Sequence, residues 1–137
     1  MTNLRFHHLG LATRAIEIEA AELRHLGYRP EGPAFVDVLQ GIRGQFMVGP
    51  GPRIEVLAPT DGSPVLEPWL AKGIKLYHQA FEVADLDSEL ARHKAAGAMV
   101  VVQPTAAVAF GGRRIAFAML PSLLLIELIE AHQAARP

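Results

Sequence analysis

The chain contains no cysteine among its 137 residues. Neither a disulfide framework nor a metal site with thiolate ligands is therefore possible. Basic runs are absent too, because 13 lysines and arginines are offset by 14 aspartates and glutamates, for a formal net charge of −1. A protein whose main partner is nucleic acid usually carries a clustered positive patch. We therefore do not expect a nucleic-acid partner.

Long apolar runs are also missing. No stretch approaches the roughly 20 consecutive apolar residues that a membrane-spanning helix needs, although 50% of the residues are hydrophobic. The segment 1–5 lacks the basic start and long apolar core of a signal peptide. We expect a cytoplasmic protein with no membrane partner, folded as a single domain over 1–137.

What the sequence does contain is one pattern that occurs twice. Residues 6–12 (FHHLGLA) and 76–83 (LYHQAFEV) combine histidine with aromatic and aliphatic residues, which predicts a strand in each place. A helical pattern follows each strand, over 14–26 in the first case and over 86–96 in the second. After the first helix the sequence predicts a turn at 30–33 and three strands, over 35–39, 45–48 and 53–58. After the second helix it predicts four strands, over 99–103, 106–110, 114–119 and 123–130.

The spacing of landmark residues indicates that this is an internal repeat. The landmarks are His8, Gly27 and Glu55 in the first half, and His78, Gly97 and Glu127 in the second. In both halves the histidine precedes the glycine that ends the helix by 19 positions, and the glutamate follows that glycine by 28 and 30 positions. Thr13 and Asp85 are the predicted N-caps of the two helices.

We therefore predict an α+β fold built from two βαβββ modules. The first module covers 1–59, the second covers 74–130, and a linker rich in proline and glycine at 60–73 joins them. The alternative that the pattern leaves open is an ordinary alternation of helices and strands without a true repeat.

Each half places one glutamate inside an apolar strand. A buried carboxylate is costly unless a cation, hydrogen bonds or a metal stabilises it. If the first and last strands of each half are neighbours, the histidine and glutamate of that half project from one face. Two imidazoles and two carboxylates brought together suit a six-coordinate divalent ion with two positions left for water or substrate. For Glu55, which shares a face with Arg53, a position facing water is the alternative.

Five segments together resemble the vicinal oxygen chelate superfamily, the fold of glyoxalase I and methylmalonyl-CoA epimerase. They are FHHLG at 6–10, RIEVLAP at 53–59, YHQAFEV at 77–83, GGRRIAF at 111–117 and IEL at 126–128. The resemblance covers nearly the whole chain. It implies paired βαβββ modules whose curved sheet encloses one divalent metal ion, with Ni, Co, Zn and Mn not distinguished. The implied ligands are His8, Glu55, His78 and Glu127.

The resemblance also implies an activity. It favours a metal-dependent isomerase or lyase that moves a proton next to a carbonyl, similar to lactoylglutathione lyase. The implied proton-transfer base is Glu127, and Glu55 is its chemical equivalent. The implied substrate is a small thiol adduct or thioester. Because a single module would leave an apolar sheet face exposed, we also expect a homodimer.

Three other functions stay open. Methylmalonyl-CoA epimerases commonly carry glutamine where this chain has Glu55, and they place a catalytic acid on the third strand, where alignment puts Gln45. Because glutamine cannot act as a base, the resemblance to epimerases is weaker at this position. An extradiol-type dioxygenase would need iron with two histidines and one carboxylate. A non-enzymatic small-molecule-binding protein of the superfamily usually lacks the full ligand set.

The GGRR segment at 111–114 is a further candidate for substrate binding. Arg113 or Arg114 could reach a substrate carboxylate or phosphate. The segment is equally typical of a hairpin turn with exposed charges, and we favour that interpretation.

Overall fold

The computed structural model of the chain describes residues 3–132. The elements are β1 (Arg5–Ala12), α1 (Ile16–His25), β2 (Arg29–Asp37), β3 (Ile42–Val48), β4 (Ile54–Pro59), α2 (Glu67–Leu70), β5 (Leu76–Val83), α3 (Leu86–Ala95), β6 (Met99–Ala106), β7 (Arg114–Met119) and β8 (Leu125–Glu130). A short 3₁₀ helix, Val108–Phe110, lies between β6 and β7. With α2 as a connection, the order βαβββ occurs twice, which confirms the predicted fold class.

The chain divides into two compact units. Among the described residues, the first unit consists of 8–77, and the second consists of 78–132 together with 3–7. The strand order is β2-β3-β4-β1 in the first unit and β5-β8-β7-β6 in the second. In each unit one pair of strands is parallel, β1 with β4 and β5 with β8. The boundaries predicted for the modules and linker stay a prediction.

In the first unit α1 packs on one face of the sheet. Three helix residues one turn apart, Ile16, Ala20 and Leu23, form a core with strand residues that include Met47 and Ile54. Removal of this apolar surface from water is the main term that holds the helix in place. Since strand side chains alternate between faces, the neighbours of these strand residues point to the opposite face.

The second unit repeats this arrangement. Leu86 and Leu90 of α3 form a core with residues of β7 and β8, among them Ala116, Ile126 and Leu128. Each helix therefore covers one face of its own sheet. The residues at alternate strand positions are left for the other face.

Three of the four ends of helices α1 and α3 have the capping or terminating residue that the sequence predicts. Gly27 and Gly97 both have positive φ values, +97° and +100°, a conformation that side chains with a Cβ rarely adopt. The Asp85 carboxylate accepts a hydrogen bond from the Ser88 amide at 3.0 Å. The expected N-cap at Thr13 is wrong, because Ala15 takes that position. The Thr13 hydroxyl instead accepts from the Ala15 amide at 3.1 Å.

Two strands are longer than the sequence pattern predicts. Prolines and glycine over 30–33 predict a turn, yet they lie within β2, and Pro104 lies within β6. Both strands are at the ends of their strand orders. A proline removes a backbone donor, which an edge strand tolerates because one of its sides has no partner strand. The predicted strand over 106–110 is replaced largely by the 3₁₀ helix.

No helix among residues 3–132 is long and apolar enough to cross a lipid bilayer.

We expect Asp85→Ala to destabilise the protein by about 1 kcal/mol, because the first turn of α3 loses its side-chain cap. Urea unfolding monitored by circular dichroism measures the change. Asp61→Ala, in an exposed turn, is the control and should stay within about 0.5 kcal/mol of the wild type. Equal losses in both variants would contradict the capping role.

Candidate functional site

The first unit brings His8 and Glu55 together. Both residues are buried, and His8 Nε2 lies 3.1 Å from Glu55 Oε1. The two residues come from β1 and β4, which run parallel with Gly10 opposite Glu55. Their side chains share the face that α1 does not cover. We call this the first His–Glu pair.

The second unit contains the same arrangement. His78 of β5 and Glu127 of β8 are buried, and His78 Nε2 lies 3.2 Å from Glu127 Oε1. Ala80, two positions after the histidine, lies opposite Glu127, as Gly10 lies opposite the glutamate of the first unit. We call this the second His–Glu pair.

An aromatic ring packs against each histidine. The rings of His8 and Phe46 meet edge to face with centroids 5.3 Å apart, and those of His78 and Phe117 do so at 5.1 Å. Each phenylalanine lies directly opposite the glutamate of its own pair. The rings limit the movement of the imidazoles and keep the pairs in apolar surroundings. The sequence reasoning missed both, although aromatic residues at equivalent positions of the repeat were a usable signal.

The geometry of each pair fits two adjacent ligands of one metal ion. Donor atoms at neighbouring corners of an octahedron with bonds of about 2.1 Å lie roughly 3.0 Å apart. The two observed nitrogen–oxygen separations, 3.1 and 3.2 Å, are close to that value. Each of the four buried side chains can offer one ligand atom. Nitrogen and carboxylate oxygen donors suit Zn, Co, Ni and Mn ions.

Comparison with known proteins identifies the family. The profile of the Glyoxalase/Bleomycin resistance protein/Dioxygenase superfamily matches residues 7–117. The chain belongs to this superfamily. No curated protein matches the chain.

Solved structures of the superfamily fold resemble the chain over nearly its full length. A methylmalonyl-CoA epimerase from Mycobacterium tuberculosis is 26% identical, with a TM-score of 0.77 over 94% of this chain and 89% of its own. A methylmalonyl-CoA epimerase in complex with methylmalonyl-CoA and NH4+ is 26% identical, with a TM-score of 0.76 over 98% and 99%. A hypothetical protein from Bacillus halodurans has a TM-score of 0.78 over 98% and 99% at 21% identity, which shows the fold alone.

The alignment that puts Gln45 at the position of the epimerases' catalytic acid on the third strand is wrong by at least one residue. Gln45 pairs with Val56, a member of the core under α1, and so it faces away from Glu55. Its side-chain amide donates to the carbonyl oxygen of Gly32 at 2.8 Å. The residues of β3 on the face of the first His–Glu pair are Ile42, Gly44, Phe46 and Val48. None of these four has a side-chain group that accepts a proton.

Close packing accounts for the glycine at position 44. A Cβ at Gly44 would lie 2.5 Å from Phe35 Cζ and 2.8 Å from Leu57 Cδ2. Both distances are far below van der Waals contact, so the Phe35 ring occupies the space that a side chain at position 44 would need. The third strand of this superfamily member therefore presents no acid beside Glu55.

The sequence left open that Glu55 faces water on the same side as Arg53. In the structure Glu55 does not face water. Glu55 is 4% exposed, whereas Arg53 is partly exposed and donates from Nε to Glu31 Oε1 at 2.9 Å. The ion pair of Arg53 with Glu31 was missed in the sequence, because the two residues are 22 positions apart and belong to different strands.

Arg113 and Arg114 form ion pairs within the second unit. Arg114 contacts Asp87 at 2.9 Å and Glu130 at 2.6 Å, and Arg113 contacts Glu82 at 3.2 Å. The hydrogen bond from Arg114 lowers the pKa of the Asp87 carboxyl. The pKa of Arg114 is raised, first by its hydrogen bond with Glu130 and then by that with Asp87. These contacts favour a structural role in the hairpin over substrate binding.

Asp87 should stabilise the fold in a pH-dependent way. Because Arg114 lowers the folded-state pKa of Asp87, the stabilisation is present above the unfolded-state pKa and is lost as the pH falls through the folded-state value. We expect Asp87→Asn to be less stable than the wild type at neutral pH and equally stable well below about pH 4.

Urea unfolding at neutral and acid pH measures this difference. In an Arg114→Gln background, the pH-dependent effect of Asp87→Asn should become much smaller, with only the contribution of a carboxylate in the first turn of α3 left. A difference between wild type and Asp87→Asn that stays constant with pH would refute the assignment.

Proposed function

We propose that His8, Glu55, His78 and Glu127 together bind one divalent metal ion, and that the protein is an isomerase or lyase that moves a proton next to a carbonyl. The observation that carries the proposal is the buried His–Glu pair, repeated in both units with the separation of adjacent metal ligands. Membership of the superfamily supports it. The ion would act as a Lewis acid toward two adjacent substrate oxygens.

A glutamate of one pair is the proposed base. Its carboxylate takes the proton from the carbon next to the carbonyl, and the C–H electron pair passes to the carbonyl as an enolate or enediolate. The same carboxylate can then return the proton to the neighbouring carbon, whereas inversion at the original carbon needs a proton delivered to the opposite face by a second group. The site-facing side of β3 carries no acid, and Glu31 of β2, on the same face, is paired with Arg53. The carboxylates of the two His–Glu pairs, Glu55 and Glu127, are therefore the candidates for this step. We assign the base to Glu127, with Glu55 as its chemical equivalent.

The preferred activity resembles that of lactoylglutathione lyase. The substrate would be the hemithioacetal of a 2-oxoaldehyde and a thiol, which presents a hydroxyl and a carbonyl oxygen on adjacent carbons. The proton then moves between these two carbons. Carboxylates at both glutamate positions, in place of one glutamine, support this choice.

A methylmalonyl-CoA epimerase-like activity is the second candidate. Solved epimerases at 26% identity that align over nearly the full chain favour it. The substrate would then be an acyl-CoA thioester, and the proton would return to the carbon that it left. In this chain a glutamate of a His–Glu pair would have to replace the acid of the third strand.

Two features of the assembly and location stay predictions. We expect a homodimer, which sedimentation of the purified protein tests. We also expect the protein in the cytoplasm, which cell fractionation tests.

Iron-dependent oxygen uptake would indicate a dioxygenase, and purified protein that binds no metal would indicate a non-enzymatic binding protein.

His78→Ala should lose most of the bound metal, because three ligands hold an ion less well than four. Glu127→Gln should retain more, since its amide oxygen can still coordinate. Mass spectrometry after loading with Ni, Co, Zn or Mn and removal of free ion measures metal content. His93→Ala is the matched control. His93 also contacts a glutamate, Glu89 at 3.3 Å on helix α3, but it belongs to neither the first nor the second His–Glu pair. A wild type that binds none of the four metals would overturn the proposal.

Glu127→Gln should lose turnover by about a hundredfold or more while it keeps metal, because an amide cannot accept the proton. Turnover is measured with the hemithioacetal of methylglyoxal and glutathione, and with methylmalonyl-CoA in D₂O, where epimerisation exchanges the α-proton. Glu55→Gln is the companion variant. Unchanged turnover in Glu127→Gln together with a large loss in Glu55→Gln would move the base to Glu55.

A further inference from the structure

The first unit carries charged side chains beside its His–Glu pair. Arg53 immediately precedes β4 and continues its pairing with β1, because its carbonyl oxygen accepts from the Leu9 amide at 3.0 Å. It lies two residues before Glu55, so both side chains project from the same face, with their Cα atoms about 7 Å apart. Glu31 of β2 accepts hydrogen bonds from Arg53 Nε at 2.9 Å and from Nη2 at 3.5 Å. The guanidinium is thereby held on the face of the sheet that carries the first His–Glu pair.

Strand register places these residues on a shared face. Glu31 lies opposite Phe46, and Phe46 lies opposite Glu55, so these three residues form one row across β2, β3 and β4. Arg29, two residues before Glu31, lies opposite Val48 on the same face. The end of the sheet next to the first His–Glu pair therefore carries two arginines and one glutamate.

The second unit shows that the fold does not require these charges. Val102 lies opposite Phe117 and occupies the position equivalent to Glu31. Leu125, two residues before Glu127, is equivalent to Arg53 and is buried. Met99 is equivalent to Arg29. The same sheet positions are thus apolar in one unit and charged in the other.

The stability of the fold is a weak explanation for the charged residues at these positions of the first unit. A partly exposed ion pair contributes about 0–1 kcal/mol. The second unit forms the same sheet with apolar residues at these positions, of which Leu125 is buried and Met99 is exposed. A guanidinium carries five donors in a planar fork and can contact more than one carboxylate.

We propose that Arg53 binds a carboxylate of the substrate, a few atoms away from the two oxygens that the metal holds. Glu31 is a positioning residue for the guanidinium. The inference rests on the proposed function and narrows its substrate to a compound that carries a carboxylate near the reacting carbonyl. Arg29 adds positive charge at the same end of the sheet.

Two hydroxamates that differ by a carboxylate test the proposal. Acetohydroxamate offers two adjacent oxygens for a metal, and succinic monohydroxamate adds a carboxylate on a two-carbon arm. Calorimetry with metal-loaded wild-type protein should give on the order of tenfold tighter binding of the succinic compound, as expected for one charge-assisted contact. Arg53→Gln should remove this preference and leave acetohydroxamate affinity unchanged. Glu31→Gln should reduce the preference.

Arg14→Gln is the matched control. Arg14 donates to both carboxylate oxygens of Glu67 at 3.1 and 3.2 Å in the same unit, so the variant loses the same charge and a similar ion pair. It should keep the full preference, and all variants should keep wild-type metal content and thermal stability within a few degrees.

The outcomes separate this inference from the function on which it rests. If the wild type binds both hydroxamates equally, or if Arg53→Gln keeps the preference, the inference is wrong and the metal site stands. Loss of the preference in Arg14→Gln as well would reveal a general charge effect and overturn the role of Arg53. If the wild type binds neither metal nor hydroxamate, the proposed function falls and the inference falls with it.

Discussion

A carboxylate buried beside an imidazole is the constraint around which each unit is arranged. An isolated buried charge is strongly unfavourable, so Glu55 needs its contact with His8, and Glu127 needs its contact with His78. Strand alternation gives these side chains one face of the sheet and leaves the other to the helix. The helix then buries the apolar face, whose packing holds the strands in the register that the pairs require.

The internal repeat separates what the superfamily fold needs from what this chain adds. The histidine, the glutamate and the phenylalanine opposite the glutamate occur in both units. The surrounding positions differ, with Arg53 in the first unit where Leu125 stands in the second. The duplicated residues are thus the proposed metal ligands and the rings beside them, whereas the unequal positions are those to which we assign substrate selectivity.

Much of the fold and of the candidate site could be predicted from the sequence, because the signals are local. Period-two alternation places each histidine and glutamate on one face, and the 19-residue spacing identifies the repeat. Register across several strands is not local. The shift in pairing between Glu31 and Phe35 and the faces of β3 depend on tertiary packing, so the place of Gln45 and the ion pair of Arg53 could not be deduced.

The packing around Gly44 links the fold to the choice of base. Phe35 fills the space beside this glycine, so an acid cannot occupy the position unless the ring also moves. The Phe35 ring fits only because residue 44 has no side chain. With this packing, the third strand has no proton acceptor at that position. Under the proposed function, the proton acceptor would then be a glutamate that also belongs to a His–Glu pair. In this chain the residues that would hold the metal and the residue that would move the proton therefore overlap.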